Sequence, residues 1–171
     1  DRPVDILHDG FDCVIRTGAL PEDGVIARSL GKLTMVNCAS PHYLTRFGYP
    51  QSPDDLTSHA IVRYTPHLGV HPLGFEVASV NGVQWFKSGG MLTVNSSENY
   101  LAAGIAGLGI IQIPRIAVRE ALRAGRLIEV LPGYRAEPLS LSLVYPQRRE
   151  LSRRVNLFMQ WLAGVMKEHL D

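Results

Sequence analysis

The chain has 171 residues, a formal net charge of +1 and 46% hydrophobic residues. That suffices for one globular domain, or for two small lobes on one chain, each with its own core. No apolar run approaches the roughly 18 residues of a membrane span. The near-neutral charge argues against a dominant nucleic-acid surface.

The opening stretch, "DRPVDILHDG", lacks the basic leader and apolar core of a signal peptide. Its Pro3 and Gly10 suit the first turn and the stop of a short helix. "FDCVIRTG" follows as a strand ended by Gly18, and "ALPEDG" reads as a turn. "VIARSLGKLTMVNCASP" carries two apolar segments broken at Gly31, of which "LTMVNCA" is a clear strand. "SPHYLTRFG" predicts a short helix, with Ser40 as cap, Pro41 at the first position and Gly48 as stop. "SPDDLTSH" repeats that start signal at Ser52 and Pro53.

"AIVRYT" is a strand. "LGFEVASVNGVQWFKSGGMLTVNS" holds Asn81-Gly82, a hairpin signal between apolar runs, and reads as a β-meander. "VNSSENYLAAGIAGLGIIQIP" then predicts strand, capped helix and strand. "RIAVREALRAGRL" predicts an amphipathic helix with Ile116, Val118 and Leu122 inward and Gly125 as stop. "LIEVLP" and "LSLSLVYP" read as strands. The closing helix begins at Ser152, with Val155, Leu157, Phe158, Trp161, Leu162, Val165 and Met166 at helical spacing. This α/β alternation predicts a mostly parallel sheet, whose ligands gather at the carboxyl ends of strands.

Several residues carry candidate chemistry. Asn95 is expected to cap its helix, with Glu98 three residues on in a capping-box arrangement. The first-turn N–H groups and the hydroxyls of Ser96 and Ser97 would then favour an anion, against the plainer reading of a capped helix with nothing bound. The Glu98 carboxylate weighs against a phosphate. Arg16, beside Thr17 and Gly18 at a strand end, could clamp a carboxylate, or sit on a structural partner such as Asp5 or Asp12.

Other candidates are weaker. His67 and His71 lie four apart in a Pro/Gly-rich stretch without a third ligand, so no metal is expected. Cys13 and Cys38 read as two buried free thiols of a reducing compartment. "GIAGLG" falls at the end of a helix rather than between a strand and a helix start, so it is not a dinucleotide fingerprint. The basic run at residues 147–154 reads as a solvated surface or a subunit contact. No nucleophile, base and orienting group assemble, so neither an enzyme nor a bound cofactor is expected.

Taken together, "DRPVDILHDGFDCVIRTGALPEDGVIARSLG", "ASPHYLTRFGYPQSPDDLTSH", "GIAGLGIIQIP", "AGRLIEVLP" and "VYPQRRELSRRVNLFMQWL" resemble the effector-binding domain of LysR-type transcriptional regulators. The resemblance covers essentially the whole chain. It implies an α/β fold of two Rossmann-like lobes, similar to type II periplasmic binding proteins. Lobe I would hold residues 1–37 and 144–171, and lobe II residues 38–143, with "LTMVNCA" and "LSLSLVYP" as crossover strands. A small anionic or polar effector would bind between the lobes, at Arg16, Thr17, Gly18, Cys38, Ala39, Ser40, Asn95, Ser96 and Ser97.

The resemblance also implies a cytoplasmic regulator that is a dimer or tetramer. It would touch DNA only through a helix-turn-helix domain, which this sequence lacks. The family's first strand and first helix of lobe I are likewise not matched here. A solute-binding receptor of a transport system is the alternative on the same fold.

Overall fold

The computed structural model describes residues 6, 8–18, 24–65, 74–147, 152–167 and 170. They fall into two compact units. Unit I comprises residues 3–34 and 138–171, and unit II residues 35–137.

Among the described residues, unit I is an antiparallel sheet with one helix. Strands β1 (Val14–Thr17) and β2 (Val25–Leu33) flank β10 (Leu139–Pro146). The expected break at Gly31 is instead a bulge inside one continuous strand. Gly31 pairs with Leu141 while Ser29 pairs with Ser142, so Leu30 is the extra residue. Gly31 has φ +145°, which a side chain would resist, and the strand bends there without ending. Helix α4 (Arg153–Lys167) starts where Ser152 caps it, the Ser152 Oγ accepting the Val155 N–H at 3.3 Å.

Only part of the apolar face expected of α4 is inward. Val155 and Met159 are buried on Leu143, with Leu162 packed beside them. Leu157, Phe158, Trp161 and Val165 are exposed. At 100° per residue the expected apolar set spans about half of the helix circumference, and a sheet touches only one flank. The turn at 19–23 and both His67 and His71 lie outside the described residues, as do most of the short helix expected near the start and half of the 147–154 basic run.

Unit II is built on β3 (Met35–Ala39), β4 (Ala60–Tyr64), β5 (Phe75–Ser79), β6 (Gly82–Phe86), β7 (Gly89–Val94), β8 (Ile111–Pro114) and β9 (Ile128–Glu129). Its helices are α1 (Pro41–Phe47), α2 (Ser97–Ile105) and α3 (Arg115–Arg123), with a 3-10 turn over Pro53–Ser58. Helix α1 forms as the sequence predicts: Ser40 Oγ accepts the Tyr43 N–H, and Gly48, at φ +80°, closes the end.

The sheet is less parallel than expected. β4 and β7 run parallel, and a parallel bridge joins Ile61 to Ile110 just before β8. The other ladders among the described residues are antiparallel. β3 arrives from unit I and runs against β8, which periodicity along one strand cannot reveal. The meander is also shorter than expected. β5 and β6 form the hairpin, with Val80 and Asn81 at the tip and Gly82 at φ +104°, but β7 leaves it to pair with β4.

Alternate residues of these strands feed two cores. Val36, Cys38, Val62, Ile111 and Ile113 pack under α2 and α3. Ala39, Ile61, Phe75, Val77 and Ile110 pack with Tyr43, Leu44 and Leu56 on the other side. In α3 the buried residues are Val118 and Ala121, with Leu122 partly covered, whereas Ile116, expected inside, is exposed. Ala121 lies three residues past Val118 and Ile116 two residues before it, which puts Ile116 on the opposite face.

The glycines of "GIAGLG" serve packing. A Cβ on Gly104 would meet Ile111 Cδ1 at 2.6 Å, so the missing side chain lets α2 lie close on β8. Gly107, at φ +79°, turns the chain after α2, and Gly109 passes close to the β4 backbone.

Candidate functional site

Strand direction places the candidate residues. β4, β7 and, through the Ile61–Ile110 bridge, β8 point the same way, and β3 points against them. One end of the unit II sheet therefore holds the carboxyl ends of β4, β7 and β8 together with Met35, where the chain arrives from unit I. Tyr64–Thr65, Val94–Ser96 and Pro114 gather there. The Thr65 N–H donates to the Val94 carbonyl at 3.0 Å, which ties the two parallel strand ends together. Thr65 is buried, Asn95 and Ser96 are half-buried, and Ser97 is exposed.

Helix α2 starts one residue later than expected. Ser96, in extended backbone, is the cap, and its Oγ accepts the Asn99 N–H at 3.4 Å. Asn95 thus precedes the cap, and Glu98 is the second helical residue, too early to close a capping box. The positive end of the helix dipole and its first-turn N–H groups lie at the strand ends. The Tyr64 ring packs on Tyr100 at 5.7 Å between centroids. Tyr100 is anchored through its hydroxyl, which accepts the Gln112 N–H at 2.8 Å. Burial, foremost, pushes the Tyr100 pKa up to about 12, so the hydroxyl stays protonated. Tyr64 and Thr65 were absent from the expected site, although they end the strand read from "AIVRYT" and the rule of strand carboxyl ends covers them.

Cys38, Ala39 and Ser40 lie at the other end of the same sheet, at the carboxyl end of β3. The structure does not bring them together with Asn95–Ser97. Cys38 is fully buried, and burial first, then the Glu129 carboxylate, pushes its thiol up to about 12. It is a packed, protonated thiol with no nucleophilic character near neutrality. Ser40 is 2% exposed and its oxygen is engaged as the α1 cap. Cys13 is only partly buried, contrary to expectation.

Arg16, Thr17 and Gly18 belong to unit I, at the end of β1. Arg16 stands opposite Ser142 and is half-buried, and Gly18, at φ +78°, donates its N–H to the Ser140 carbonyl. Among the described residues no group of three or more His, Cys, Asp or Glu side chains is placed to hold a metal.

At the β3 end, His59 is buried and its Nδ1 lies 3.1 Å from the Tyr43 hydroxyl, which accepts the Ala60 N–H. Burial lowers its pKa below the usual 6.5, and the Asp55 carboxylate offsets part of that. The unfolded chain therefore takes up a proton first as pH falls through about 6.5, and this stabilises the unfolded state. Acidification from about pH 7.5 to 5.5 is expected to lower the melting temperature. In His59→Gln that slope flattens, as melting curves across the range will show; an unchanged slope would exclude His59 as its source.

The model of the "LysR substrate binding domain" family matches residues 1–167. The chain belongs to this LysR family. It is 98% identical over all 171 residues to the HTH-type transcriptional regulator YhjC of Escherichia coli K12, of which it spans 57%. It is 34% identical over 99% of its length to the transcriptional repressor PA14_22550 of Pseudomonas aeruginosa, spanning 53% of that protein. The transcriptional activator AaeR of Escherichia coli K12 is 31% identical over 96% of the chain, which spans 52% of it. The chain thus spans about half the length of these LysR-family relatives. Their names include both a repressor and an activator, and none is a transport receptor.

Among solved structures, the CrgA regulatory domain of Neisseria meningitidis aligns over 93% of this chain and 77% of that one, at a TM-score of 0.80 and 24% identity. The effector domain of AmpR from Pseudomonas aeruginosa aligns over 98% and 80%, at 0.75 and 22%. The fold is thus that of LysR regulatory domains, with two lobes of the type II periplasmic-binding-protein kind. No helix among the described residues is long and apolar enough to cross a membrane.

Proposed function

We propose that this chain is the effector-sensing part of a DNA-binding LysR-type regulator, and that a small anionic or polar molecule binds where α2 begins. The observation that carries the reading is the convergence of Thr65, Asn95, Ser96 and Ser97 with the α2 N-terminus at the carboxyl ends of two parallel strands. Such strand ends are where α/β sheets hold ligands, and the helix dipole there favours negative charge. Arg16, Thr17 and Gly18 of unit I are proposed as a separate anion contact, with the Arg16 guanidinium pairing a carboxylate. Cys38–Ser40 are not retained in the proposed site.

In the whole regulator, effector binding biases one arrangement of a dimer or tetramer over another and so alters operator binding by a helix-turn-helix domain. The full protein works in the cytoplasm, does no catalysis and needs no cofactor. The similarity to named regulators of transcription supports this reading over a transport receptor.

A thermal-shift screen against small carboxylates, aromatic acids and amino acids tests it. A ligand at about a hundred times its Kd stabilises the fold by about 2.7 kcal/mol. Ser97→Ala is expected to shrink that shift without altering the unliganded melting temperature. Ser96 is left intact because its loss as a cap costs about 1 kcal/mol on its own. An undiminished shift in that variant would remove Ser97 from the site.

A further inference from the structure

Strand β7 carries an extra residue where it enters the sheet. Ala60 pairs with Gly89 and Val62 with Leu92, so three steps along β7 match two along β4. A bulge of this kind re-aims the chain, and bulges gather beside functional sites. At this one, Gly90 lies against the guanidinium of Arg63. A Cβ on Gly90 would stand 2.8 Å from both Cζ and Nε of Arg63, so the guanidinium fills the space that a side chain would take.

The guanidinium is fixed but not neutralised. Its Nη2 donates to the Ser88 carbonyl at 2.9 Å. Its Nε and the Ser88 hydroxyl are both buried, and neither has a hydrogen-bond partner among the described residues. The ion pairs of the described residues use Arg115, Arg123 and Arg135, and no described carboxylate pairs with Arg63. Unmet buried donors and half-buried charges are costly, and native proteins meet them with ordered water or an ion. A guanidinium only donates, so what completes the pair is an acceptor. The unpaired positive charge favours an anion there over water. Both atoms are closed off from bulk solvent, which favours an acceptor of single-atom size.

We propose that Arg63 and Ser88 form a binding site for a small monovalent anion with the size and charge of chloride. The anion accepts the Arg63 Nε–H and the Ser88 O–H, while the Ser88 carbonyl and Gly90 hold the guanidinium in place. The site lies at the amino end of β7, whereas the proposed effector contacts follow its carboxyl end, so neither depends on the other.

The test is a melting series of this chain over an about hundredfold range of sodium chloride, with sodium gluconate holding the ionic strength constant. The expected result is a saturable rise in melting temperature of about 5 °C. Gly90→Ala keeps Arg63 and Ser88 but pushes the guanidinium aside, and it is expected to abolish the rise, as is Arg63→Gln. Gly133→Ala, with nothing within 4 Å of its Cβ position, keeps it. Crystals of the unaltered chain in sodium bromide read the site directly, with an anomalous peak expected between Arg63 Nε and Ser88 Oγ. A melting temperature indifferent to chloride would overturn the proposal and leave water or the Ser88 hydroxyl itself as the acceptor. A rise kept in full by Gly90→Ala and Arg63→Gln, or bromide found only elsewhere, would also overturn it.

Discussion

Gly109→Ala is expected to lower the melting temperature by about 6 °C or more, a loss of roughly 3 kcal/mol. Gly109 has φ +156°, and a Cβ there would stand 2.6 Å from the Ala60 carbonyl oxygen and 3.2 Å from the Val62 nitrogen. Both are backbone atoms of β4 and cannot rotate aside. They also belong to the bridge that joins β4 to the strand entering β8, in which Ile110 N–H donates to Ala60 and Val62 N–H to Ile110. A methyl group would therefore strain the conformation and pry apart the joint that unites the unit II sheet. Gly133→Ala is the control, since nothing lies within 4 Å of its Cβ position. Equal melting temperatures for the two variants would show that the joint does not hold the unit together.

The second large effect is expected at Asn37, which is fully buried in β3. Its amide donates to the carbonyls of Leu131, at 3.2 Å, and Tyr134, at 2.8 Å, and its oxygen accepts Gln112 Nε2 at 2.9 Å. Gln112 in turn bonds both backbone groups of Glu76, so a single network links β3, β8, β5 and the loop after β9. Leu131 within that loop has φ +48°, a conformation that costs a non-glycine residue energy and persists only when its surroundings hold it. Asn37→Leu keeps the volume but strands two carbonyls and one amide donor. The expected cost is about 2–4 kcal/mol, as a set of unmet buried hydrogen bonds requires. Denaturant unfolding measures it, with the exposed Asn99→Ala as a reference near zero. A loss below about 1 kcal/mol would mean that water replaces the amide.

Local signals proved legible and directional ones did not. Ser40, Pro41 and Gly48 specify α1 through chemistry within eight residues, and the structure has that helix with that cap. Asn81-Gly82 announces the β5–β6 hairpin. The cap of α2 was misplaced by one residue because Asn95 and Ser96 are both good caps, and only the length of β7 decides between them. The pattern of α3 points Ile116 inward because it offers few large apolar residues, whereas the small Ala121 carries the contact. Which candidate residues share an end of the sheet was legible only in part. Asn95–Ser97 end a strand that runs with its neighbour, whereas Cys38–Ser40 end one that runs against it. Direction depends on where the chain comes from, and no residue in "LTMVNCA" records that.

The most direct test is a backbone NMR titration of the 18.9 kDa chain with the ligand that the thermal-shift screen identifies. The expected result is that the largest amide shifts fall at Thr65 and at residues 94–98, with smaller ones at 38–44. Shifts concentrated at Cys38, Ser40 and the start of α1, with Asn95–Ser97 unmoved, would place the ligand at the opposite end of the sheet and contradict the account.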